Sequence, residues 1–351
     1  MRLLISIILY LFNIMFALSH LYGQPYPQSQ LIQKLEWVEN ICIIDEVSGD
    51  NWPITWVNDT LQITSYGDGD GFDILNPDLS LGLSFIIGDP PDHRGMDFQT
   101  NIDTPEGGGP QGIKTSGLLM VDGILYIFVR NYKPGRSDDF TNSRLGWSEN
   151  FGKTFQWADW YFSNTFGCPD FIQFGPDYSG ALDNYVYILS QDNDNAYKYS
   201  PDIVLARVLK EKLKDRNAWE FFSGRRQGNK PEWSKNSNRR KAIFTNPAGT
   251  QRVAMSYNPA LKRFILTSSH RPEGDNRTHT DALGVYESEF PWGGWSTVYY
   301  DDDWSNDCRT YHHRFPTKWM SHDGKEMWLL FSGLDCGYYG FCLRKAKLIR
   351  Y

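Results

Sequence analysis

The hydrophobic positions of this chain occur in short runs, rich in β-branched and aromatic residues, that are separated by Gly, Asp, Asn and Pro. Residues 117–120 and 125–129, for example, flank the tight turn Val121-Asp122-Gly123. Such runs are typical of antiparallel hairpins, whereas an amphipathic helix needs apolar positions three and four residues apart. We therefore predict strands almost throughout, with one helix at 208–216. The hairpins fall into five groups, at residues 41–66, 113–131, 145–191, 203–264 and 283–333.

The chain ends with one more apolar run, at residues 341–349, that has no partner after it. A terminal strand can close a ring of sheets by pairing with the first one, which removes free sheet edges. The pattern therefore predicts an all-β fold, a five-bladed β-propeller closed by the C-terminal strand. The segment from Ser148 to Phe155 supports it, because its sequence matches the Asp-box turn of many propeller hairpins. A jelly-roll β-sandwich is the rival architecture, but it needs fewer residues.

The first residues have the composition of an export signal. Arg2 is followed by an uncharged apolar run at 3–18 and by the stretch Leu21-Tyr22-Gly23. This order is that of a secretory signal peptide, and the run is shorter than the roughly 20 residues of a membrane-spanning helix. The alternative is an uncleaved anchor helix. We predict a signal peptide at 1–23, a single β-propeller domain at 24–351, and a secreted or periplasmic protein with no membrane contact after cleavage.

Charge and composition indicate which classes of partner this domain can bind. The formal net charge is −7, whereas a nucleic-acid-binding protein needs a basic surface. The 13 Trp, 20 Tyr and 21 Phe exceed what a core requires, and aromatic faces also stack on sugar rings. We therefore expect a polysaccharide or oligosaccharide partner, no nucleic acid, and a monomer.

The five cysteines indicate a disulfide, which export would allow. Cys308, Cys336 and Cys342 lie close in sequence, but their spacing does not decide which pair forms, and an odd count leaves at least one thiol. The chain has no Cys-x-x-Cys, no His-Glu-x-x-His and no phosphate-binding Gly-rich motif. We expect no cofactor, with a structural calcium ion as the one exception that the acidic turns allow.

Two aspartates border the first predicted hairpin. Asp50 precedes its first strand and Asp68 follows its second, so both carboxylates face the same end of the sheet. Hydrolysis of a glycosidic bond needs two carboxyl groups in one cleft, one ionised and one protonated. We predict Asp50 and Asp68 as the catalytic pair. The alternative is that residues 67–71 form a turn whose Asp side chains accept hydrogen bonds from nearby amides.

A second acidic turn, at residues 191–195, also follows a predicted strand and therefore lies at a sheet end. We include its Asp192 among the catalytic candidates. The same turn can also be a solvated surface loop, or a calcium site that lacks the rest of a twelve-residue calcium loop.

The residues predicted to bind substrate are either next to Asp50 or combine a cation with an aromatic ring. Cations such as these, together with Arg130, His312 and His313, can neutralise acidic sugar oxygens or developing negative charge. For the two histidines a structural role is the simpler interpretation. The predicted substrate-binding residues are Asn51, Trp52, Lys114, Arg239, Lys318 and Trp319, and we predict no metal ligand.

A propeller can also carry out β-elimination on a uronate-containing polymer. That reaction needs a Tyr or His to remove the proton next to the carboxylate, and an Arg or Lys to neutralise the carboxylate. No spacing in the sequence singles out such residues. The chain offers His93, Tyr197, Tyr257, Arg252 and His270.

Several segments, spread over most of the chain, form a specific combination. They are Asp50-Asn51-Trp52-Pro53, Tyr66-Gly67-Asp68-Gly69, Leu205-Ala206-Arg207-Val208, residues 219–224, Ser256-Tyr257-Asn258-Pro259 with Arg263-Phe264, and residues 316–321. In these segments the chain resembles secreted bacterial proteins of the domain-of-unknown-function family 4185. That family resembles five-bladed propeller glycoside hydrolases, among them arabinan endo-hydrolases with paired aspartates. The resemblance implies Asp50 and Asp68 as that pair, although Gly69 stands where family members usually have Thr.

The sequence therefore predicts a secreted glycoside hydrolase that cleaves internal bonds of a polysaccharide with a pair of aspartates. Two alternatives remain open. One is a polysaccharide lyase that acts on a uronate-containing glycan, and the other is a non-catalytic carbohydrate-binding propeller.

Overall fold

The computed structural model of the chain describes residues 23–38, 42–43, 47–102, 112–130 and 141–351. The predicted signal peptide lies outside these residues, apart from Gly23, and stays a prediction. Within the described ranges, no helix is long and apolar enough to cross a membrane.

Strands make up most of the described chain, as the short apolar runs predicted, so the all-β class is confirmed. The strands are β1 (Ile32–Trp37), β2 (Cys42–Ile43), β3 (Ser48–Asp50), β4 (Ile54–Trp56), β5 (Leu61–Gly71), β6 (Gly82–Ile87), β7 (Arg94–Phe98), β8 (Lys114–Val121), β9 (Ile124–Arg130), β10 (Ser143–Ser148), β11 (Gln156–Phe162), β12 (Asp170–Phe171), β13 (Tyr185–Gln191), β14 (Ser200–Leu209), β15 (Glu220–Arg226), β16 (Lys230–Ser234), β17 (Ala242–Asn258), β18 (Arg263–Ser269), β19 (Leu283–Ser288), β20 (Ser296–Asp301), β21 (Thr310–Arg314), β22 (Glu326–Gly333) and β23 (Cys342–Arg350).

The predicted helix at 208–216 is wrong. Val208 is fully buried and pairs with Val186 of β13, so the strand continues to Leu209. The residues after it form only short turns, one of which is capped by the Asp215 side chain, which accepts a hydrogen bond from the amide of Asn217. The helices of the described chain are all short 3₁₀ turns, at Pro176–Tyr178, Lys210–Lys212, Arg216–Ala218, Gln227–Asn229, Ser237–Arg239 and Thr317–Trp319.

Hydrogen bonds join these strands into four antiparallel sheets within the described residues. The first contains β3 to β7, the second β8 to β11, and the last β21 to β23 with β1 and β2. The predicted group at 145–191 is divided, because β10 pairs with β9 along its whole length, from Ser143 to Ser148. Its later strands, β12 and β13, begin the next sheet.

That third sheet has nine strands, β12 to β20, and contains strands from three predicted groups. The long strand β17 joins its two halves: residues 242–250 pair with β14, and residues 251–258 pair with β18. A break in the β17–β18 register between Gln251 and Ala254 marks the change. The hydrogen-bonded sheets are therefore not five separate blades, and the five-bladed count stays a prediction.

Strands of successive sheets contact one another in a circular order. β8 lies against β4, β5 and β12, while β12 also contacts β17. β17 contacts β21, and β22 of the last sheet returns to β3 of the first. This circular order of contacts is propeller-like, and it brings the inner ends of all the sheets to one place.

The C-terminal strand pairs with two segments near the start of the described chain, β1 and β2, and β2 belongs to the first predicted group; closure of a five-bladed ring stays a prediction. β23 lies between β22 and β1, and Leu348 pairs with Leu35 of β1. The two ends of the described chain therefore meet in the last sheet, and the edge of β23 is covered by the strand that precedes the first hairpin.

Aromatic side chains fill much of the space between the sheets. In the largest core cluster, Phe162 packs edge-on against Trp219 with ring centroids 5.6 Å apart, and Phe128 contacts both rings. Trp52 and Trp319 are also buried. Part of the aromatic excess that suggested sugar binding therefore serves the core.

Cys308 and Cys336 form a disulfide, with their Cα atoms 5.9 Å apart. This decides the pairing that the sequence left open. Cys168 is a buried free thiol, and Cys342 is buried as well.

Candidate functional site

The inner strands are irregular where they meet. The β3–β5, β8–β9, β17–β18 and β21–β22 registers are each broken once, close to the centre. Non-glycine residues adopt a left-handed backbone there, with φ of 77° at Asn51, 57° at Asp68, 52° at Arg252 and 57° at His312. Bulges redirect side chains, and backbone strain of this kind concentrates at functional sites. The shared location of the four residues indicates a candidate site.

Asp50 lies at the end of β3, with only 9% of its surface exposed. The Tyr311 hydroxyl donates a hydrogen bond to its Oδ2 at 2.8 Å, and the side-chain amide of Asn51 donates to Oδ1. Burial raises the pKa of Tyr311 well above its ordinary value, and the negative charge of Asp50 raises it further. Two donors therefore hold the carboxylate in place, and the phenol is neutral.

Asp68 follows Gly67, the residue of β5 that pairs with Asp50 of β3. The ammonium group of Lys114, the first residue of β8, forms an ion pair with Asp68. The Asp68 side chain is 19% exposed, whereas that of Lys114 is 1% exposed. Burial lowers the pKa of Lys114 to about 8, and the neighbouring cations Arg130 and Arg252 also lower it, against the opposite effect of Asp50.

Two buried arginines complete the positive side of the site. Arg130 donates hydrogen bonds to the Thr115 carbonyl and to Tyr197. Arg252 donates to the side-chain oxygen of Asn51 and lies over the Tyr197 and Tyr311 rings, at 4.8 and 5.6 Å from their centroids. The two guanidiniums thus share the Tyr197 ring, which is 5.6 Å from Arg130.

Neutral imidazoles surround these cations. His279 stacks on Tyr311 with centroids 4.3 Å apart, and Nε2 of His312 lies 3.9 Å from the thiol of Cys168. Burial lowers the pKa of His279 and of His312 well below the ordinary value, and the charge of Arg252 lowers both further. Neither ring therefore adds positive charge at neutral pH.

A third carboxylate, Asp170 on β12, lies deeper. Its Oδ2 accepts a hydrogen bond from Arg314 of β21 at 3.1 Å, and both side chains are about 5% exposed. Burial raises the pKa of Asp170 to about 6, although the charge of Arg314 opposes this. The pair links β12 to β21 beneath the site.

Of the predicted catalytic residues, Asp50 and Asp68 thus come together, whereas Asp192 lies elsewhere. The Asp192 carboxylate accepts hydrogen bonds from the Thr165 hydroxyl at 2.7 Å and from Arg240 at 2.8 Å. Through these contacts Asp192 links the loop that contains Thr165 to the segment before β17. Its predicted catalytic role has no support in the geometry.

The predicted substrate-binding residues divide in the same way. Asn51 and Lys114 belong to the site. Trp52 is fully buried, since its ring packs on Tyr66 and its indole nitrogen donates to the Gly49 carbonyl. The prediction that Trp52 contacts a sugar is therefore wrong, because no face of the ring is accessible.

The other three predicted substrate-binding residues lie away from the centre. Trp319 is 4% exposed and packs against His93 and Phe341. The neighbouring Lys318 forms an ion pair with Asp89. Arg239 is exposed in a 3₁₀ turn, beside a surface pocket that includes Trp233. The contacts of these three residues connect none of them to Asp50.

The structure also separates the candidates for β-elimination. Tyr197 and Arg252 lie in the site, as described above. His93 is buried near Trp319, Tyr257 packs on Phe174 with centroids 5.6 Å apart, and His270 pairs with Asp302 at 2.8 Å. Only the first two candidates are therefore placed together.

The acidic turn at 191–195 uses its oxygens internally. The side-chain oxygens of Asn193 and Asn195 accept hydrogen bonds from backbone amides two residues later. Among the described residues, the carboxylates that come within ligand distance of one another are Asp281, Asp303 and Asp307. The expected calcium ion stays a prediction.

Sequence reasoning missed Tyr311, His279, Asp170 and Arg314. The sequence held one signal for β21, the polar run Thr310-Tyr311-His312-His313-Arg314. In the structure this run is a strand whose five residues are all buried. A buried strand of this composition places polar groups on both faces and cannot be an ordinary core strand.

No family model matches the chain, and no curated protein was found to match it. The resemblance to the domain-of-unknown-function family 4185 therefore stays a prediction. Among solved structures, the chain is similar in fold to a "putative hydrolase" from Bacteroides ovatus ATCC 8483, with a TM-score of 0.53, 9% identity, and coverage of 85% of each chain. At this identity the likeness shows a shared fold only.

Two further likenesses have TM-scores below 0.5 and support no inference. The GH43 protein BlXynB from Bacillus licheniformis gives 0.48 at 12% identity, over 89% of this chain and 54% of that one. The GH43_1 enzyme from Xanthomonas citri complexed with xylotriose gives 0.47 at 12% identity, over 87% and 89%.

Proposed function

We propose that this chain is an exported glycoside hydrolase of the five-bladed propeller type, whose reaction centre lies around Asp50. One observation carries the proposal: a buried carboxylate, held by Tyr311 and Asn51, lies where inner strands with strained residues converge. Strain and buried polar groups both cost stability, so a fold keeps them at such a place when they serve a function. The likeness in fold to the Bacteroides ovatus protein is in line with this proposal.

Asp50 has the role of the ionised carboxylate. Tyr311 and Asn51 donate hydrogen bonds to its two oxygens and hold it in place. In that form it removes a proton from the attacking water, or attacks the anomeric carbon itself. Either step forms a new bond to the anomeric carbon as the glycosidic C–O bond breaks.

The proton for the leaving oxygen comes from the pair of Asp68 and Lys114. Lys114 forms an ion pair with Asp68, and because its pKa of about 8 lies above neutral pH, Lys114 carries the proton there. Its pKa of about 8 lies close to neutrality, which suits a group that must give up a proton. The predicted pair of aspartates thus becomes a group of three residues, in which Asp68 positions the donor.

The test compares the wild-type domain with Asp50→Asn on a panel of neutral and uronate-containing polysaccharides, following reducing ends. We expect release of reducing ends and a loss of about 10²- to 10⁴-fold in the variant. Asp59→Asn is the matched control, because Asp59 is exposed in the turn before β5. Equal rates for wild type and Asp50→Asn, at unchanged melting temperature, would exclude this reaction centre.

A polysaccharide lyase is the second candidate, and a specific contact favours it. The Tyr197 ring lies against both Arg130 and Arg252. A phenol next to two guanidiniums is suited to remove the proton beside a carboxylate that those guanidiniums neutralise. The electrons left by that proton form a carbon–carbon double bond as the glycosidic oxygen leaves.

The same panel separates the two reactions. The lyase product is unsaturated and absorbs in the ultraviolet, whereas hydrolysis yields reducing ends without absorbance. A Tyr197→Phe variant that abolishes absorbance and keeps glycan binding would establish the lyase. Binding without either signal would identify a non-catalytic carbohydrate-binding protein.

A further inference from the structure

Positive charge is concentrated in one segment of this acidic chain. Residues 223–241 contain seven Lys or Arg and one Glu, so their formal charge is +6, whereas that of the whole chain is −7. This basic segment comprises most of the hairpin of β15 and β16 and the turn before β17. A field of one sign that is confined to one part of a surface attracts ligands of the opposite sign.

The hairpin of the basic segment is held in place at both ends. β15 pairs with β14 through its first two residues, Glu220 and Phe221. At the far end, the indole nitrogen of Trp292 donates a hydrogen bond to the Asn229 carbonyl at 3.1 Å. The Arg225 guanidinium lies so close to the next turn that a Cβ atom added at Gly293 would come within 2.9 Å of it. The basic side chains therefore project from a surface that is packed against its neighbours.

A pocket of about 500 Å³ lies on this hairpin. Its lining includes three exposed cations, Arg226, Lys230 and Arg239, and the half-buried Trp233. The Arg207 guanidinium lies over the Trp233 ring, 4.1 Å from its centroid, and fixes this side of the pocket. The pocket is therefore open to solvent and lined by cations.

One carboxylate, that of Glu232, lies among these cations. It forms an ion pair with Arg226. A Cβ atom added at Gly224 would lie 3.5 Å from Oε2 of Glu232 and 3.6 Å from Nζ of Lys241, so these two charges are near each other. The hydrogen bond from Arg226, together with the charges of Lys241 and Arg239, holds the pKa of Glu232 below its ordinary value. Among these described residues the cations outnumber the carboxylate.

A second pocket, of about 340 Å³ and mainly aromatic, adjoins the first. Trp292 in its lining packs edge-on against Trp233, with ring centroids 6.3 Å apart, and Phe290 stacks on Trp292 at 5.6 Å. Aromatic faces stack on sugar rings, and the carboxylates of Asp183 and Glu289, which also line this pocket, can accept hydrogen bonds from hydroxyl groups. The surface thus places cations and aromatic faces next to each other.

This combination fits an acidic glycan better than a nucleic acid. Outside the basic segment the chain carries −13, the difference between −7 and +6, and this charge repels a long and uniformly charged polymer. An acidic glycan alternates anionic groups with uncharged sugar faces, as the two pockets alternate cations with aromatic rings.

We propose that the two pockets form an accessory site that binds an acidic glycan, with an anionic group among Arg226, Lys230 and Arg239 and an adjacent sugar in the aromatic pocket at Trp292. A guanidinium presents its donors in a planar fork that matches oxyanions such as carboxylate and sulfate. The inference rests on the proposed function in taking the ligand to be a glycan. It adds a second site, because none of the contacts just described includes a residue of the Asp50 centre.

The test is a binding measurement that needs no turnover. Isothermal titration calorimetry compares an oligogalacturonate with its carboxyl-reduced form, and a chondroitin sulfate oligosaccharide with its desulfated, carboxyl-reduced form. We expect the wild-type protein to bind at least one acidic form and to bind its neutral counterpart about 10- to 100-fold more weakly. The pair that shows this difference distinguishes carboxylate from sulfate. The affinity for the acidic form should fall as salt rises.

Matched variants locate the effect. Lys230→Gln combined with Arg239→Gln should weaken binding of the acidic form about 10- to 100-fold and leave the neutral form unchanged. Lys153→Gln combined with Lys347→Gln is the control, because it removes the same charge from exposed positions outside the basic segment. Each single substitution, at Lys230 or Arg239, should give a smaller loss in the same direction, which decides the question even if the double variant does not fold. Phe290→Ala should weaken the acidic and neutral forms alike, since it removes an aromatic face and no charge.

Several outcomes would overturn the inference. They are equal affinity for acidic and neutral forms, absence of binding to both acidic forms, equal losses in the two double variants, no effect of Phe290→Ala, and tighter binding of a single-stranded oligonucleotide than of either acidic glycan. Failure of the proposed hydrolase is distinguishable. Binding that depends on Lys230 and Arg239 without any cleavage refutes the hydrolase alone, whereas cleavage that Asp50→Asn abolishes, with binding unchanged by the loss of Lys230 and Arg239, refutes this inference alone.

Discussion

The lowered pKa of Lys114 can be measured as a dependence of stability on pH, without knowledge of the substrate. The ordinary pKa of a lysine is 10.5, and burial lowers that of Lys114 to about 8 in the folded chain. Between these two values the unfolded chain binds more protons than the folded chain. The free energy of unfolding should therefore rise with pH across this window, as the cost of a buried ammonium disappears.

The magnitude follows from the width of the window. It is about 2.5 pH units wide, and each unit corresponds to 1.36 kcal/mol, so the full effect is about 3.4 kcal/mol. Lys114→Met removes the titrating group and hence the effect. The free energy of unfolding of the wild type, measured relative to that of the variant, should therefore rise by about 3 kcal/mol from pH 8 to pH 10.5.

The assay is urea unfolding followed by tryptophan fluorescence at intervals from pH 7 to 10.5. Comparing variant with wild type at each pH cancels the titration of the other lysines and tyrosines, provided that they act independently. Lys347→Met is the matched control, because Lys347 is exposed on β23 and should show no such shift.

A difference that stays constant from pH 7 to pH 10.5 would refute the reasoning. It would mean that the ion pair with Asp68 raises the pKa of Lys114 as much as burial lowers it. Lys114 would then hold its proton throughout the neutral range, and its proposed role as proton donor would fail with it.

Three further predictions concern stability. Replacing Cys308 and Cys336 by Ser removes a cross-link over a sequence separation of 28 residues; the chain-entropy relation gives a loss of about 3.6 kcal/mol in urea unfolding, and a loss below about 1 kcal/mol would contradict it. Burial raises the pKa of Asp170 to about 6, so between pH 4 and 6 the folded chain binds more protons than the unfolded chain. The free energy of unfolding of the wild type should therefore fall with rising pH in this range relative to that of Asp170→Asn. Parallel curves for the two proteins would contradict this. Trp52→Ala should lower the free energy of unfolding by about 3–5 kcal/mol, because the ring is fully buried; unchanged stability with lost glycan binding would show instead that the ring contacts sugar.

The site was predictable from sequence to the extent that its residues border turns. Asp50 and Asp68 flank one hairpin, so local chain reversal alone brings them to the same end of a sheet. Tyr311 donates to Asp50 from a strand about 260 residues later in the chain. Arg252 donates to the neighbouring Asn51 from a strand about 200 residues later. No local rule relates positions so far apart, because the bulges that redirect these side chains depend on how the sheets pack.

The aromatic residues also show what sequence alone could not predict. Their number indicated sugar binding, and Trp52 and Trp319 stood beside candidate polar residues. The structure uses both rings in the core, where each is less than 5% exposed. Composition states how much aromatic surface a chain has, and only packing decides which of it reaches solvent.

By itself, the sequence determined the all-β class and the positions of most hairpins, because the alternation of apolar runs with turn residues is a local property of the chain. The tertiary structure decided which strands share a sheet, that β23 pairs with β1, that Cys308 joins Cys336, and that Tyr311 and Arg252 meet Asp50 and Asn51 at one centre. These are contacts between distant segments, and their energies depend on burial and mutual distance, which exist only once the sheets have packed together.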